Sequence, residues 1–343
     1  MDGTKEVAVK KTAVVLVVSL VSLCLAVIGC GKGATTQKGT AANSSSQNKT
    51  AGSTWVNIVG GVSSFNIYSL AYDSAHNVLY AGTDSNGVWK HSGTSWVNTG
   101  GGVSSSNIYS LAYDSARNVL YAGTGGNGVL KYDGTSWVNT GGGVSSSSIY
   151  SLAYDSARNV LYAGTDSNGV WRFDGTAWAA TGGGVSSEAV RSLDYDSTHN
   201  VLYAGCSRGS TDAAAYGVWK FDGSNWASTG GNISNYGIVS LASDSAHNVL
   251  YAGTGGNGVW KHSGTTWADT KFGPTDSSVS SLTWSGTKLY AGMVGSGVWE
   301  YDGSIWTDAG SAEYVGRCLD FDPARNILFA GTDAHGVCYT KTK

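Results

Sequence analysis

Seven recurrences of one short motif, four strand-like pieces per recurrence and a matched offset between the chain ends predict an all-β fold closed into a ring. The motif Tyr-Ala-Gly-Thr begins at Tyr80, Tyr121 and Tyr162 and returns, slightly altered, at Tyr203, Tyr251, Tyr290 and Phe329. The spacings are 41, 41, 41, 48, 39 and 39 residues, within the range that marks a repeat architecture. In the third copy, strand-like segments at 149–154, 159–164, 169–173 and 177–180 alternate with turns rich in Asp, Asn and Gly. Those residues supply the tight reversals that antiparallel neighbours need. Four such strands in about 41 residues make a propeller blade. A solenoid would need a helix or a leucine ladder in each unit, and the units contain neither. The expected fold is a seven-bladed β-propeller of four-stranded antiparallel blades over residues 53–343.

Closure follows from the ends. Six copies finish with a strand carrying Trp96, Trp137, Trp178, Trp226, Trp267 or Trp306, whereas the last stops at Lys343 soon after Val337-Cys338. The missing strand stands at the start of the repeats as Ser53-Thr54-Trp55-Val56-Asn57. The N-terminal strand is therefore expected to complete the seventh blade and seal the ring.

Composition agrees. Gly is 50 of 343 residues and Pro only 2, with 13 Trp and 19 Tyr. Such aromatics bury enough area to offset chain entropy, so the glycines mark turns rather than disorder. Net charge is −3, and the first 50 residues hold a surplus of four positive charges, leaving −7 on the repeats. An acidic body lacks the clustered Lys and Arg that neutralise phosphates, which excludes nucleic acid as a partner.

Lys10 and Lys11 precede an uncharged run at 12–29, dominated by Val, Leu and Ala. A basic start before a short apolar stretch reads as a signal peptide. An uncleaved membrane anchor is the alternative, because the run is just long enough to span a bilayer. Its end, Val27-Ile28-Gly29-Cys30, resembles a bacterial lipobox, which implies acylation of Cys30. Residues 31–52 hold no large apolar side chain and form a flexible tether with a reach of roughly 25 Å. The expected organisation is a leader at 1–29, a lipidated Cys30 with tether at 30–52, and the propeller at 53–343. That places the domain outside the cytoplasm, anchored to a bacterial membrane at its periplasmic face or at the cell surface.

Beyond the tether lie Cys206, Cys318 and Cys338. Cys318 and Cys338 fall on non-adjacent strands of one sheet, about 9–10 Å apart by strand spacing, beyond the reach of a disulfide. Three thiols without a disulfide are expected. No Cys/His spacing suggests a metal, and no motif suggests a cofactor.

The segments Ser110-Leu111-Ala112-Tyr113-Asp114, Leu120-Tyr121-Ala122-Gly123-Thr124 and Lys131-Tyr132-Asp133-Gly134-Thr135-Ser136-Trp137 resemble the repeats of two-component-regulator and Asp-box (sialidase-like) propellers. The last is one residue shorter between Asp and Trp than the Asp-box, and two copies carry Ser for Asp, as in His91-Ser92-Gly93. The resemblance implies that the Asp-Gly-Thr piece is a turn between the third and fourth strands. It also implies that the Tyr68-Ser69-Leu70 strand is innermost and the Trp55 strand outermost. Loops from the fourth strand to the next first strand, and from second to third, would share one face, which in such propellers hosts ligands.

A glycosidase needs two carboxylates across its substrate. Beyond the tether the only Glu residues are Glu188, Glu300 and Glu313, and most Asp residues recur in register at Asp73, Asp114, Asp155, Asp196, Asp244 and Asp322. That register reads as turn capping. Arg117, Arg158 and Arg325 share one turn position with His76, His199 and His247 and do not form a carboxylate grip. No catalytic constellation emerges, and the expectation is a non-enzyme. Trp55 and its counterparts, with Trp89, Trp171, Trp219, Trp260 and Trp299, read as packing between blades.

Departures from the repeat carry the functional signal. The innermost strands begin with Tyr68, Tyr109, Tyr150, Arg191, Val239, Ser280 and Arg317, seven side chains expected to ring one mouth of the channel. Loops on that face diverge at Phe65, Glu188, Tyr236, Phe272, Asp276 and Glu313-Tyr314, and the fourth copy adds Ser207–Tyr216 with Arg208 and Asp212. Aromatic, basic and acidic groups on one concavity predict a binding site. The candidate ligand-binding residues are Tyr68, Tyr109, Tyr150, Arg191 and Arg317, helped by Tyr216, Tyr236 and Tyr314. The expected function is a monomeric, membrane-anchored binding or adhesion module for a glycan or peptide. An envelope scaffold docking a partner protein is the second expectation, and a glycoside hydrolase the third.

Overall fold

The computed structural model describes residues 54–186, 188–207, 216–271, 278–293, 296–310 and 317–342, all within the compact unit Ser45–Lys343. They form seven four-stranded antiparallel sheets whose strands follow chain order. Blades 1 to 6 lie within 67–98, 108–139, 149–180, 189–228, 238–269 and 279–308, and blade 7 within 318–341. The first strand of each blade packs against the first strands of its two neighbours, right round the ring. The protein is a seven-bladed β-propeller.

Blade 7 is completed as expected. Its outermost strand is β1 (Val56–Asn57), which pairs antiparallel with the last strand, β28 (Val337–Lys341), Val56 opposite Tyr339 and Asn57 opposite Cys338. Strand limits shift by about a residue from those read in the sequence. In blade 3 the second strand starts at Val160, because Asn159 is a left-handed turn residue with φ 57°. Asn tolerates that region better than other side chains.

Packing explains the recurring Tyr-Ala-Gly-Thr. Tyr80 stacks on Tyr113 of the next blade at 5.8 Å, and Ala81 is fully buried. A Cβ on Gly82 would fall 2.6 Å from Ile108 of the next blade, so the missing side chain lets the blades close. The Thr83 hydroxyl donates to the Gly87 carbonyl at 2.7 Å and ties the following turn.

Each outermost strand is latched to the preceding blade by a tryptophan. The indole N–H groups of Trp137, Trp178, Trp226, Trp267 and Trp306 donate to Thr99, Thr140, Thr181, Thr229 and Thr270 at 3.0–3.1 Å. Each threonine hydroxyl donates in turn to a third-strand carbonyl of its own blade. At the ring closure the acceptors are backbone carbonyls. Trp55 donates to Ala309 at 3.1 Å, and Trp96 to Ile58 at 3.2 Å. The second tryptophan set packs on glycine turns, so that a Cβ on Gly143 would lie 2.3 Å from the Trp171 ring. Both sets are therefore packing elements, half-buried or buried between blades.

The far end of the innermost strands carries a second device. Asp73 accepts from the backbone N–H groups of Ala75 and His76 at 3.0 and 3.2 Å, which confirms the turn-capping reading. Its other oxygen accepts from the Tyr113 hydroxyl of blade 2 at 2.6 Å. Tyr154 clasps Asp114 likewise at 2.7 Å, with Arg117 donating to both partners. Tyr195 and Tyr72 bond to Asp155 and Asp322 in the same way. The clasp fails where Ser243, Trp284 and Phe321 stand in the tyrosine position.

The Asp-Gly-Thr segment is the expected turn. Asp133 accepts from the N–H groups of Thr135 and Ser136, both at 2.9 Å, and from the Thr135 hydroxyl at 2.7 Å. Cys206, Cys318 and Cys338 are buried, and no disulfide joins them.

Candidate ligand-binding mouth

A register shift at the start of the first strand, between Ile67 and Ser69 in blade 1, separates Tyr68 from the alternation that buries its neighbours. The same shift recurs in blades 2 to 6. In blades 1 to 5 it frees one side chain per blade for the channel mouth. Tyr68, Tyr109, Tyr150, Arg191, Val239 and Arg317 together line a cavity of about 370 Å³. Six of the seven expected positions meet there. The seventh, Ser280, donates to the Gly292 carbonyl at 2.9 Å and is not in the lining.

Five of the six form a continuous arc over blades 7, 1, 2, 3 and 4. The Tyr68 and Tyr109 rings are 5.8 Å apart and the Tyr109 and Tyr150 rings 5.5 Å, both tilted. Arg317 lies over the Tyr68 ring at 5.2 Å, and Arg191 over the Tyr150 ring at 4.2 Å. A guanidinium over a phenol ring is attracted by its quadrupole and keeps its polar edge for a ligand. The arc is thus three half-buried aromatic rings between two cations.

Carboxylates stand on the same rim. Arg317 forms an ion pair with Asp333, and Asp84 accepts from Asn66 at 3.2 Å. Burial, then Asp84, raises the Tyr68 pKa, and Arg317 partly opposes them. The phenol therefore stays a neutral donor and acceptor. Asn107 accepts from the Ser85 N–H and hydroxyl, both at 2.9 Å, and so fixes the loop between Tyr68 and Tyr109. Sequence reading missed these rim groups because it took the residue after Tyr-Ala-Gly-Thr for a plain turn position. Aligning that position, which holds Asp84, Asp166, Ser207 and Asp333 among others, was the available signal.

The helper residues separate. Tyr236 packs on Trp260 at 5.6 Å, as Phe65 packs on Trp89, and neither lines the cavity. Tyr216 is half-buried ahead of the strand Gly217–Phe221 and is also outside the lining. Tyr314, Glu313, Arg208, Asp212, Phe272 and Asp276 lie outside the described residues, as do Cys30, the leader and the tether.

Below the mouth, two copies replace the small residue at the Ala71 position by a carboxylate, Asp194 in blade 4 and Asp320 in blade 7. Burial pushes Asp194 up to about 6, with Ser243 opposing, and Asp320 up to about 7. One Asp194 oxygen is buried without a hydrogen-bond partner. Among the described residues no group of three or more metal-ligating side chains converges.

No family model and no curated protein sequence matches the chain. Solved propellers do. The extracellular domain of BT4673 from B. thetaiotaomicron, described as a one-component or hybrid two-component system, superposes with a TM-score of 0.68 at 18% identity over 83% of this chain and 39% of its own. The GH74 xyloglucanase of Xanthomonas campestris gives 0.64 at 17% identity over 85% of this chain and 54% of its own. U3-55K gives 0.66 at 13% identity, over 84% and 98%. The chain thus spans about half or less of the first two, and the likeness extends to the propeller fold alone. No helix among the described residues is long and apolar enough to cross a membrane.

Proposed function

We propose that the protein is a non-catalytic, extracytoplasmic binding propeller that seats a glycan at the Tyr/Arg mouth. The observation that carries this reading is the unbroken arc Arg317–Tyr68–Tyr109–Tyr150–Arg191. Tilted phenol rings offer flat surfaces to the C–H faces of sugars, while guanidinium and carboxylate groups on the rim satisfy hydroxyls. A peptide usually anchors through an apolar pocket, and among the described residues Val239 is the only aliphatic one in the lining. Among the described residues the lining holds no carboxylate pair to serve as acid and base.

An extracytoplasmic place is supported by the lipobox-like end of the leader and by the fold shared with an extracellular domain. Acylation of Cys30 would anchor the domain through buried methylenes. Cys30→Ala is expected to abolish processing or release the protein from membranes; unchanged mass and detergent partitioning would refute the anchor.

The binding reading is tested on a glycan and peptide array probed with the full chain, followed by product analysis of each bound glycan. Glycans retained and recovered at full length support it. Shortened products would make the protein a hydrolase, and retention of peptides alone would move the ligand class.

A further inference from the structure

The two arginines of the arc are held differently, and the difference lies in one residue. Arg191 and Arg317 occupy the same position of the innermost strand in blades 4 and 7, and each caps a tyrosine ring. In blade 7 the neighbouring residue is Asp333, which neutralises Arg317 in an ion pair. Blades 1 and 3 carry Asp84 and Asp166 at that place, but blade 4 carries Ser207. The strand register confirms the equivalence. Cys206 pairs with Val190 as Thr83 pairs with Ile67, so Ser207 follows as Asp84 does. Arg191 accordingly reaches only a hydroxyl, its Nε donating to Ser207 Oγ at 3.1 Å. Among the described residues no carboxylate pairs with it, and its side chain is exposed at the cavity wall.

An arginine stacked on an aromatic face, oriented through Nε and lacking a counter-ion keeps its terminal N–H groups for an external acceptor. A carboxylate is the planar, bidentate group that matches this fork. The acceptor must also lie beside a sugar-sized stacking surface, because Arg191 and the Tyr150 ring are in contact. Resting on the binding function proposed above, we infer that the mouth selects an acidic glycan. A uronic-acid carboxylate would bind Arg191 while the sugar ring stacks on Tyr150 and Tyr109. Arg317, already neutralised, contributes packing and hydroxyl contacts rather than charge selection.

The test uses the full chain and length-matched oligosaccharides of galacturonate, glucuronate or mannuronate and their neutral hexose counterparts. Wild-type protein should prefer at least one uronate series by about tenfold or more, which is about 1.4 kcal/mol, and the preference should shrink with added salt. Arg191→Gln should erase the preference, lowering uronate affinity about tenfold more than it lowers neutral affinity. Ser207→Asp, which builds the blade 7 pair into blade 4, should do the same, so the result does not hang on one variant. Equal binding of neutral and acidic chains by wild type would overturn the acidic selection and leave the glycan site standing. Uronate preference that survives both variants would overturn the role of Arg191. Failure of every saccharide to bind would remove the glycan reading and this inference together.

Discussion

Blades 7 and 1 to 4 and blades 5 and 6 share the same strands and the same tryptophan latch, yet they differ at both ends of the innermost strand. On the first arc the mouth carries Tyr or Arg, and the junctions are clasped below by tyrosine hydroxyls on buried aspartates. On the second, Val239 and Ser280 stand at the equivalent positions, and Ser243 and Trp284 replace the clasping tyrosines, as Phe321 does at the junction with blade 7. Because the latch is common to all seven junctions, it is what ring closure requires. The clasp ties together the blades of the arc that bears the aromatic platform, the support that the recognition surface we propose would need.

The largest expected effect comes from breaking what the two arcs share. Deleting residues 51–58 removes Trp55 and β1, leaving the β28 edge unpaired. Loss of a large packed aromatic alone costs on the order of 3–5 kcal/mol, and an open edge invites association. The truncated chain should melt far below wild type and elute as oligomers. Unchanged melting with a monomeric profile would contradict closure through β1.

One substitution made on both arcs tests the clasp. Asp114→Ala takes the carboxylate from the Tyr154 hydroxyl and Arg117, leaving the hydroxyl Asn159 as acceptor, and uncaps a turn, an expected loss of about 3 kcal/mol. Asp244 is also buried, but one of its oxygens has no partner and its side-chain partner is His247 at 2.7 Å. Asp244→Ala should cost about 1 kcal/mol. Equal losses in denaturant titrations would dissolve the distinction between the arcs.

A smaller effect separates carboxylates two residues apart. Burial works to raise Asp73, Asp155 and Asp196, but hydrogen bonds from His or Arg, from the backbone, and from a tyrosine or, at Asp196, Ser245 outweigh it and hold them low. Their contribution is present above the unfolded carboxylate pKa of about 4 and is lost as pH falls through the lower folded values. Asp194 and Asp320 act oppositely. Burial raises them to about 6 and about 7, so folding loses stability as pH climbs from about 4 through those values. Asp320→Asn keeps the acceptor for the Phe321 N–H and removes the charge. It should raise stability at pH 8 by about 1–2 kcal/mol and flatten that limb of the pH profile; an unchanged profile would refute the assignment.

The ring was legible in the sequence because every blade repeats the glycine at Gly82 and the latch at Trp137, and six of the seven repeat the aspartate at Asp73. Six of the seven mouth positions were legible for the opposite reason, since they break that repetition. The partners of those positions were not. Whether Arg317 is neutralised and Arg191 is not depends on the equivalent residue of each blade, Asp333 or Ser207, whose contact with the arginine only the structure shows. Tyr236 stands outside the lining, since an aromatic in a divergent loop can serve packing as readily as binding, and here it covers Trp260. Asp194 and Asp320 passed unnoticed because a carboxylate in place of Ala71 signals burial only in three dimensions.

Recognition at the mouth is tested most directly by a paired comparison of ligand affinity. Tyr109→Ala removes the centre of the arc, and Val97→Lys alters the outer strand, where Val97 is 60% exposed. Both variants should melt within about 1 kcal/mol of wild type. With a glycan retained on the array, Tyr109→Ala is predicted to lose affinity at least about tenfold, near 1.4 kcal/mol, while Val97→Lys binds as wild type does. Wild-type affinity in Tyr109→Ala with loss in Val97→Lys would place recognition on the outer strands and make the propeller a docking scaffold.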